Sequence, residues 1–147
     1  MAGPRYQQGW DAALASLTRH LRQEGPAMPT DDTARVARAY HDAWTNRKGA
    51  DALRELMGEG FVFDSAMMHI EGREKFLAGA GANGWPERAV TNLLAKAYDG
   101  EHAFQLYSAT NGGKNVKIAE HLVIRDGRLL FSEVVVDGAA FMAFMAA

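Results

Sequence analysis

The chain has no cysteine among its 147 residues. Disulfides, thiolate nucleophiles and cysteine-bound metals are therefore excluded. It has no surplus of positive charge either: 16 Lys and Arg stand against 18 Asp and Glu, a formal net charge of −2. Without a basic stripe, neither nucleic acid nor an anionic membrane is an expected partner. No apolar run reaches the ~20 residues that a bilayer-spanning helix needs. The first nine residues lack the apolar core and cleavage site of a secretory leader. These absences together point to a cytoplasmic protein. Proline is scarce, and two of the four, Pro26 and Pro29, fall with Gly25 in one short stretch that reads as a linker.

Two parts are expected. Residues 1–32 form an extension, in which Trp10, Leu14, Leu17 and Leu21 recur at helical spacing and predict an amphipathic helix over 9–23. Residues 33–147 form a single domain, long enough for one core without staples. Asp31, Asp32 and Thr33 are helix-start residues. After them Val36, Tyr40 and Trp44 fall four apart on one face. A short helix with Leu53, Leu56 and Met57 follows, then a strand from Phe61 to Ser65, then a third helix carrying Phe76 and Leu77. The second half reads as strands over 90–98, 102–110, 116–125 and 128–137. Asp99-Gly100 and Asp126-Gly127 are two-residue hairpin signals, and Asn111 to Lys114 is a third turn. Helices first and an antiparallel meander afterwards give an α+β class: a cone-shaped, curved sheet under three covering helices.

Strand alternation locates the unusual polar groups. One face of the strand from Val116 carries Val116, Ile118, Glu120, Leu122 and Ile124, and Glu120 is its one charge. A two-residue turn at Asp126-Gly127 with no bulge sets Leu122 opposite Phe131 and Glu120 opposite Glu133. Two buried, opposed carboxyls repel, so one holds a proton near neutral pH and serves as a hydrogen-bond donor. The alternative is that Glu133 lies at a wetter end while Glu120 bonds Tyr40, Gln105 or water. Asp64 is out of place beside Phe61, Val62 and Phe63. It is either a turn cap or a general base. Trp44, Met67 and Met68 are expected to bind substrate together with His69, Gln105, Tyr107 and Phe131. His20 and His41 read as exposed helix residues, His102 begins a strand next to a turn, and the five histidines show no metal-ligand spacing. On the other sheet face, Val123, Leu130, Val134 and Val136 suggest a homodimer contact.

The Phe-Val-Phe-Asp segment, the Glu-Gly-Arg-Glu-Lys-Phe helix start and the Ile-Arg-Asp-Gly-Arg-Leu-Leu hairpin resemble the nuclear transport factor 2-like superfamily. The SnoaL-like proteins and ketosteroid isomerases are the most similar branches, and the resemblance covers roughly residues 33 to 142. It implies a proton-transfer enzyme of isomerase or cyclase type, acting without cofactor or metal on a small apolar carbonyl compound. Asp64 would be the base, with Tyr40 and Glu120 holding the oxyanion. The sequence departs from the family pattern in having Ser65 after the base and a glutamate as the donor. A non-catalytic binding or dimerisation module, and a hydrolase or dehydratase, are the other functions this fold hosts.

Overall fold

The computed structural model describes residues 31–79 and 84–147. The helix over 9–23 and the linker fall outside the described residues. Helix α1 spans Asp31–Thr45, α2 Ala50–Leu56, α3 Arg73–Gly79 and α4 Gly138–Ala146. Strands β1 (Met57–Ser65), β2 (His69–Glu71), β3 (Val90–Asp99), β4 (His102–Asn111), β5 (Lys114–Arg125) and β6 (Arg128–Val136) form one curved sheet in the order β2-β1-β6-β5-β4-β3. The class is α+β, as expected. The sheet is mixed rather than wholly antiparallel, because β1 runs parallel to β6.

Helix α1 lies on the inner face of the sheet through its apolar stripe. Val36, Ala37, Tyr40 and Ala43 are all buried there. The Thr33 hydroxyl donates to the Gly100 carbonyl at 2.7 Å and fixes the helix start to the β3–β4 turn. Gln105 from β4 donates from Nε2 to the Ala37 carbonyl at 3.1 Å, so a buried polar side chain anchors the middle of the helix. One core cluster gathers Val36, Tyr40, Phe61, Phe76, Leu122 and Leu129, and a second gathers Trp85, Tyr107, Val116, Ile118 and Phe144. Trp44 packs against both.

The turn signals mostly hold. Arg125 pairs with Arg128, and Asp126 and Gly127 both take positive φ, 52° and 72°. That is the backbone of a type I′ turn. The β3–β4 turn is shifted by one residue: Asp99 itself pairs with His102, so Gly100-Glu101 turns the chain.

Past the β5–β6 turn, the expected register fails. Ile124 pairs with Leu129, but Val123 pairs with Phe131, which leaves Leu130 as an extra residue. This β-bulge moves every later partner by one. Glu120 therefore faces Val134 and not Glu133, while Leu122 faces Ser132 and not Phe131. Because side chains alternate, the bulge turns Phe131, Glu133 and Val135 to the outer face and brings Ser132, Val134 and Val136 inward. The proposed outer quartet is broken up in the same way, since Val134 and Val136 line the interior cavity.

The last helix closes one wall of that interior. Asp137 caps α4 by accepting from Ala140 N at 2.7 Å. Asn111, buried at the end of β4, donates from Nδ2 to the carbonyls of Phe144 at 2.7 Å and Ala147 at 3.3 Å. Asn111→Ala removes both hydrogen bonds of that latch. Urea unfolding is expected to show a loss of about 1–3 kcal/mol.

Candidate functional site

The inner face of the sheet, α1, α3 and α4 enclose a cavity of about 330 Å³. Its lining is mostly rings and thioethers, including Trp44, Phe63, Phe76, Trp85, Met67 and Met145. Among the described lining residues Glu120 is the one carboxylate, and none is Lys or Arg. Such a pocket suits a neutral, largely apolar ligand with few polar contacts.

Glu120 arrives there because it sits at an inward position of β5, between Ile118 and Leu122. Ser132, delivered inward by the bulge, donates from Oγ to Glu120 Oε2 at 3.0 Å. The other carboxyl oxygen has no protein partner among the described residues. Burial pushes the Glu120 carboxyl up to about 7, against the pull of the Ser132 hydrogen bond. A protonated fraction is thus present at neutral pH, and that form has an O–H to donate.

Two tyrosines stand beside it. Tyr40 is pushed well above its ordinary value by burial and then by the charge of Glu120, with hydrogen bonds to Trp44 and Ser132 pulling back. Tyr107 is raised by burial and by the charges of Glu120 and Tyr40. Both therefore stay neutral phenols. The Ser132–Glu120 hydrogen bond and the Tyr40 hydroxyl are the polar features of an otherwise apolar cavity wall. The indole N–H of Trp85 is buried with no partner among the described residues.

Of the residues expected to act together, Tyr40, Glu120, Trp44, Met67, Met68 and Tyr107 line this cavity. Glu133, Phe131, Gln105, Asp64 and His69 are not among its lining residues. Glu133 lies on the outer face, 3.7 Å from His121 Nδ1, and Phe131 packs edge-on to the His121 ring. Gln105 is inside but is spent on α1. Asp64 stands between Phe63 and Ser65, which both line the cavity, so alternation turns its side chain away. Its Oδ1 lies 3.1 Å from His69 Nδ1, while His69 Nε2 lies 3.1 Å from Glu71 Oε1. The two carboxylates raise the His69 pKa.

Sequence reasoning missed Ser132 and His41. Ser132 was hidden by the bulge, which no residue in the stretch announces. His41 reads as exposed, yet it is half-buried and lines the cavity. A signal was available: Ala37, His41 and Thr45 form a second row, four apart, beside Val36, Tyr40 and Trp44. The buried stripe of a helix is wide enough to take in both rows.

No family model matches the chain, and no curated protein does. Solved structures do match. A nuclear transport factor 2-like protein of unknown function from Mesorhizobium loti gives a TM-score of 0.66 at 21% identity, over 76% of this chain and 98% of that one. A candidate ketosteroid isomerase from Kribbella flavida gives 0.66 at 21% identity, over 76% and 82% of the two chains. A candidate SnoaL-like polyketide cyclase from Jannaschia gives 0.64 at 18% identity, over 82% and 97%. At these identities the likeness is one of fold, and the site must argue the function.

Proposed function

On the nuclear transport factor 2-like fold that this chain adopts, we propose that the cavity binds a small apolar carbonyl compound and moves a proton on the carbon beside the carbonyl, with no cofactor. The observation that carries this reading is Glu120: one buried carboxyl, with a pKa of about 7, on the wall of an apolar cavity. A carboxylic acid kept neutral in such surroundings is a strong donor to oxygen that is gaining charge. Ketosteroid isomerase is the established example of that device.

In this reading the apolar walls hold the carbon skeleton and exclude water. The Glu120 O–H points its proton at the carbonyl oxygen. Ser132 fixes the other carboxyl oxygen. Loss of the carbon-bound proton then gives an enolate whose charge falls on the oxygen facing Glu120. Return of the proton to another carbon makes the reaction an isomerisation, and attack on a second carbonyl makes it a ring closure.

The test uses 2-cyclohexenone in deuterium oxide. Binding is read from the fluorescence of Trp44 and Trp85, and exchange of the hydrogens beside the carbonyl from proton NMR. The expected result is exchange well above the buffer background, fastest near pH 6–7. Saturable binding without exchange would reduce the site to a binding pocket and end the enzymatic reading.

A further inference from the structure

Resting on that reading, we propose that His41, and not Asp64, is the base that removes the carbon-bound proton. The cavity needs a second proton-handling group, because Glu120 in its donor form already carries a proton. Among the described residues that line the cavity, the only side chains that titrate in the range from weak acid to neutral are Glu120 and His41. Asp64 faces away and is engaged with His69.

The position of His41 fits the task. It is next to Tyr40 on α1, and its ring meets the Tyr107 ring edge-on at 5.1 Å between centroids. Tyr107 in turn is close enough to Glu120 to feel its charge. His41, Tyr107 and Glu120 all line the same cavity, so a small molecule held there has both titrating groups on the walls around it. No hydrogen bond to the His41 ring exists among the described residues, so a ring nitrogen is free to take a proton.

The surroundings keep the imidazole neutral. Burial lowers its pKa, and Asp42, next along the helix, partly opposes this. Asp42 is itself paired with Lys48. Of the other elements at the cavity, β4 presents Tyr107, β5 presents Glu120 beside Ile118, β6 presents Val134 and Val136, and α4 presents Phe141 and Met145. A neutral imidazole facing a neutral carboxylic acid is a base and an acid ready for use.

The step balances within these two groups. The C–H bond breaks, its proton passes to the free nitrogen of His41, and its electron pair becomes the enol double bond. The carbonyl π electrons move to oxygen, which takes the proton of Glu120 or holds it in a short hydrogen bond. In the second half the protonated His41 returns its proton to carbon, and Glu120 regains its own.

The experiment compares wild type, His41→Gln, His41→Ala and Asp64→Asn on two probes. These are exchange of 2-cyclohexenone and base-promoted opening of 5-nitrobenzisoxazole, a neutral aromatic whose product is coloured. Circular dichroism and probe binding by tryptophan fluorescence check that each variant is folded and still occupied. Both His41 variants are expected to lose about 100-fold or more on both probes, a usual span for a general base. Their binding should be unchanged within about twofold, and added imidazole should restore part of the rate in His41→Ala. The acid limb of the wild-type pH profile, set by a group below 6.5, should vanish with the histidine. Retention of activity in both His41 variants, or an equal collapse in Asp64→Asn with His41 intact, would overturn the assignment. If wild type opens the benzisoxazole but never exchanges the ketone, the carbonyl reading falls while the base assignment stands.

Discussion

Glu120→Gln is expected to make the protein more stable than wild type at pH 8 and nearly equal to it at pH 4.5. In the folded chain the Glu120 carboxyl has a pKa of about 7 against an ordinary 4.5. The folded state thus keeps a proton that the unfolded chain gives up. Stability from this group is full below pH 4.5, falls as the pH rises towards 7, and stays at the lower level above that. At about 1.4 kcal/mol per pH unit the loss comes to about 3 kcal/mol. Glutamine is neutral at every pH and nearly the same shape, so it removes this slope while it can still accept from Ser132. Thermal melts of both proteins from pH 4 to 8 would decide the matter. Parallel curves would mean that Glu120 titrates as an ordinary glutamate. In the exchange assay the same variant should lose about 10- to 100-fold without falling to background. An amide N–H is a weaker donor than a carboxylic acid, but it is still a donor. The fall in wild-type rate above pH 7 should disappear with the acid. Complete loss would instead make Glu120 the base.

Phe76→Ala carries the largest expected loss of stability. Phe76 on α3 is 1% exposed. Its ring lies 5.0 Å from that of Phe61, 5.2 Å from Phe63 and 5.9 Å from Trp44, centroid to centroid. It is the hub of an aromatic cluster that joins α1, α3 and β1. Truncation removes its buried surface and leaves a hole that three large rings cannot easily fill, at a cost of about 3–5 kcal/mol. Phe76 also lines the functional cavity, so the hole opens into it. A variant that survives should bind bulkier ketones than wild type does. Guanidinium unfolding gives the stability, and competition between cyclohexenones of increasing size gives the change in fit. A loss below about 1 kcal/mol would mean that the cluster relaxes around the gap.

Much of this architecture was written locally. The stripe Val36, Tyr40, Trp44, the Asp-Gly at 126–127 and the alternation along β5 place α1, the last hairpin and Glu120 without any long-range knowledge. Each rests on a period of 3.6 or 2, or on positive φ, which short stretches reveal. What the sequence did not disclose depends on tertiary pairing. The parallel contact of β1 with β6 joins segments some 70 residues apart, and nothing local marks it. The side on which Asp64 falls follows from which neighbours, Phe63 and Ser65, the core claims. The bulge at Leu130 is accommodated from outside the hairpin: a side chain on Gly58 of β1 would come within 3.0 Å of Leu130 Cδ2. The candidate site was half legible for the same reasons. Tyr40 and Glu120, which line the cavity, lie before the bulge or on a clean period. Ser132 lies beyond it, and Glu133 faces the site only in a register that ignores the bulge.

That single extra residue has a consequence for how this chain is compared with others. A relative whose last hairpin is regular carries one residue fewer between the turn and the inward serine position. An ungapped alignment would then match Glu133 to a position that faces the cavity, and would report a pair of acids that the folded molecule keeps on opposite sides of a sheet. With the gap placed at Leu130, Ser132 lines up with the inward position instead. Loss of Leu130 together with its bulge would leave Ser132 opposite Leu122 and Val134 opposite Glu120, so the cavity wall tolerates a change of one residue in strand length.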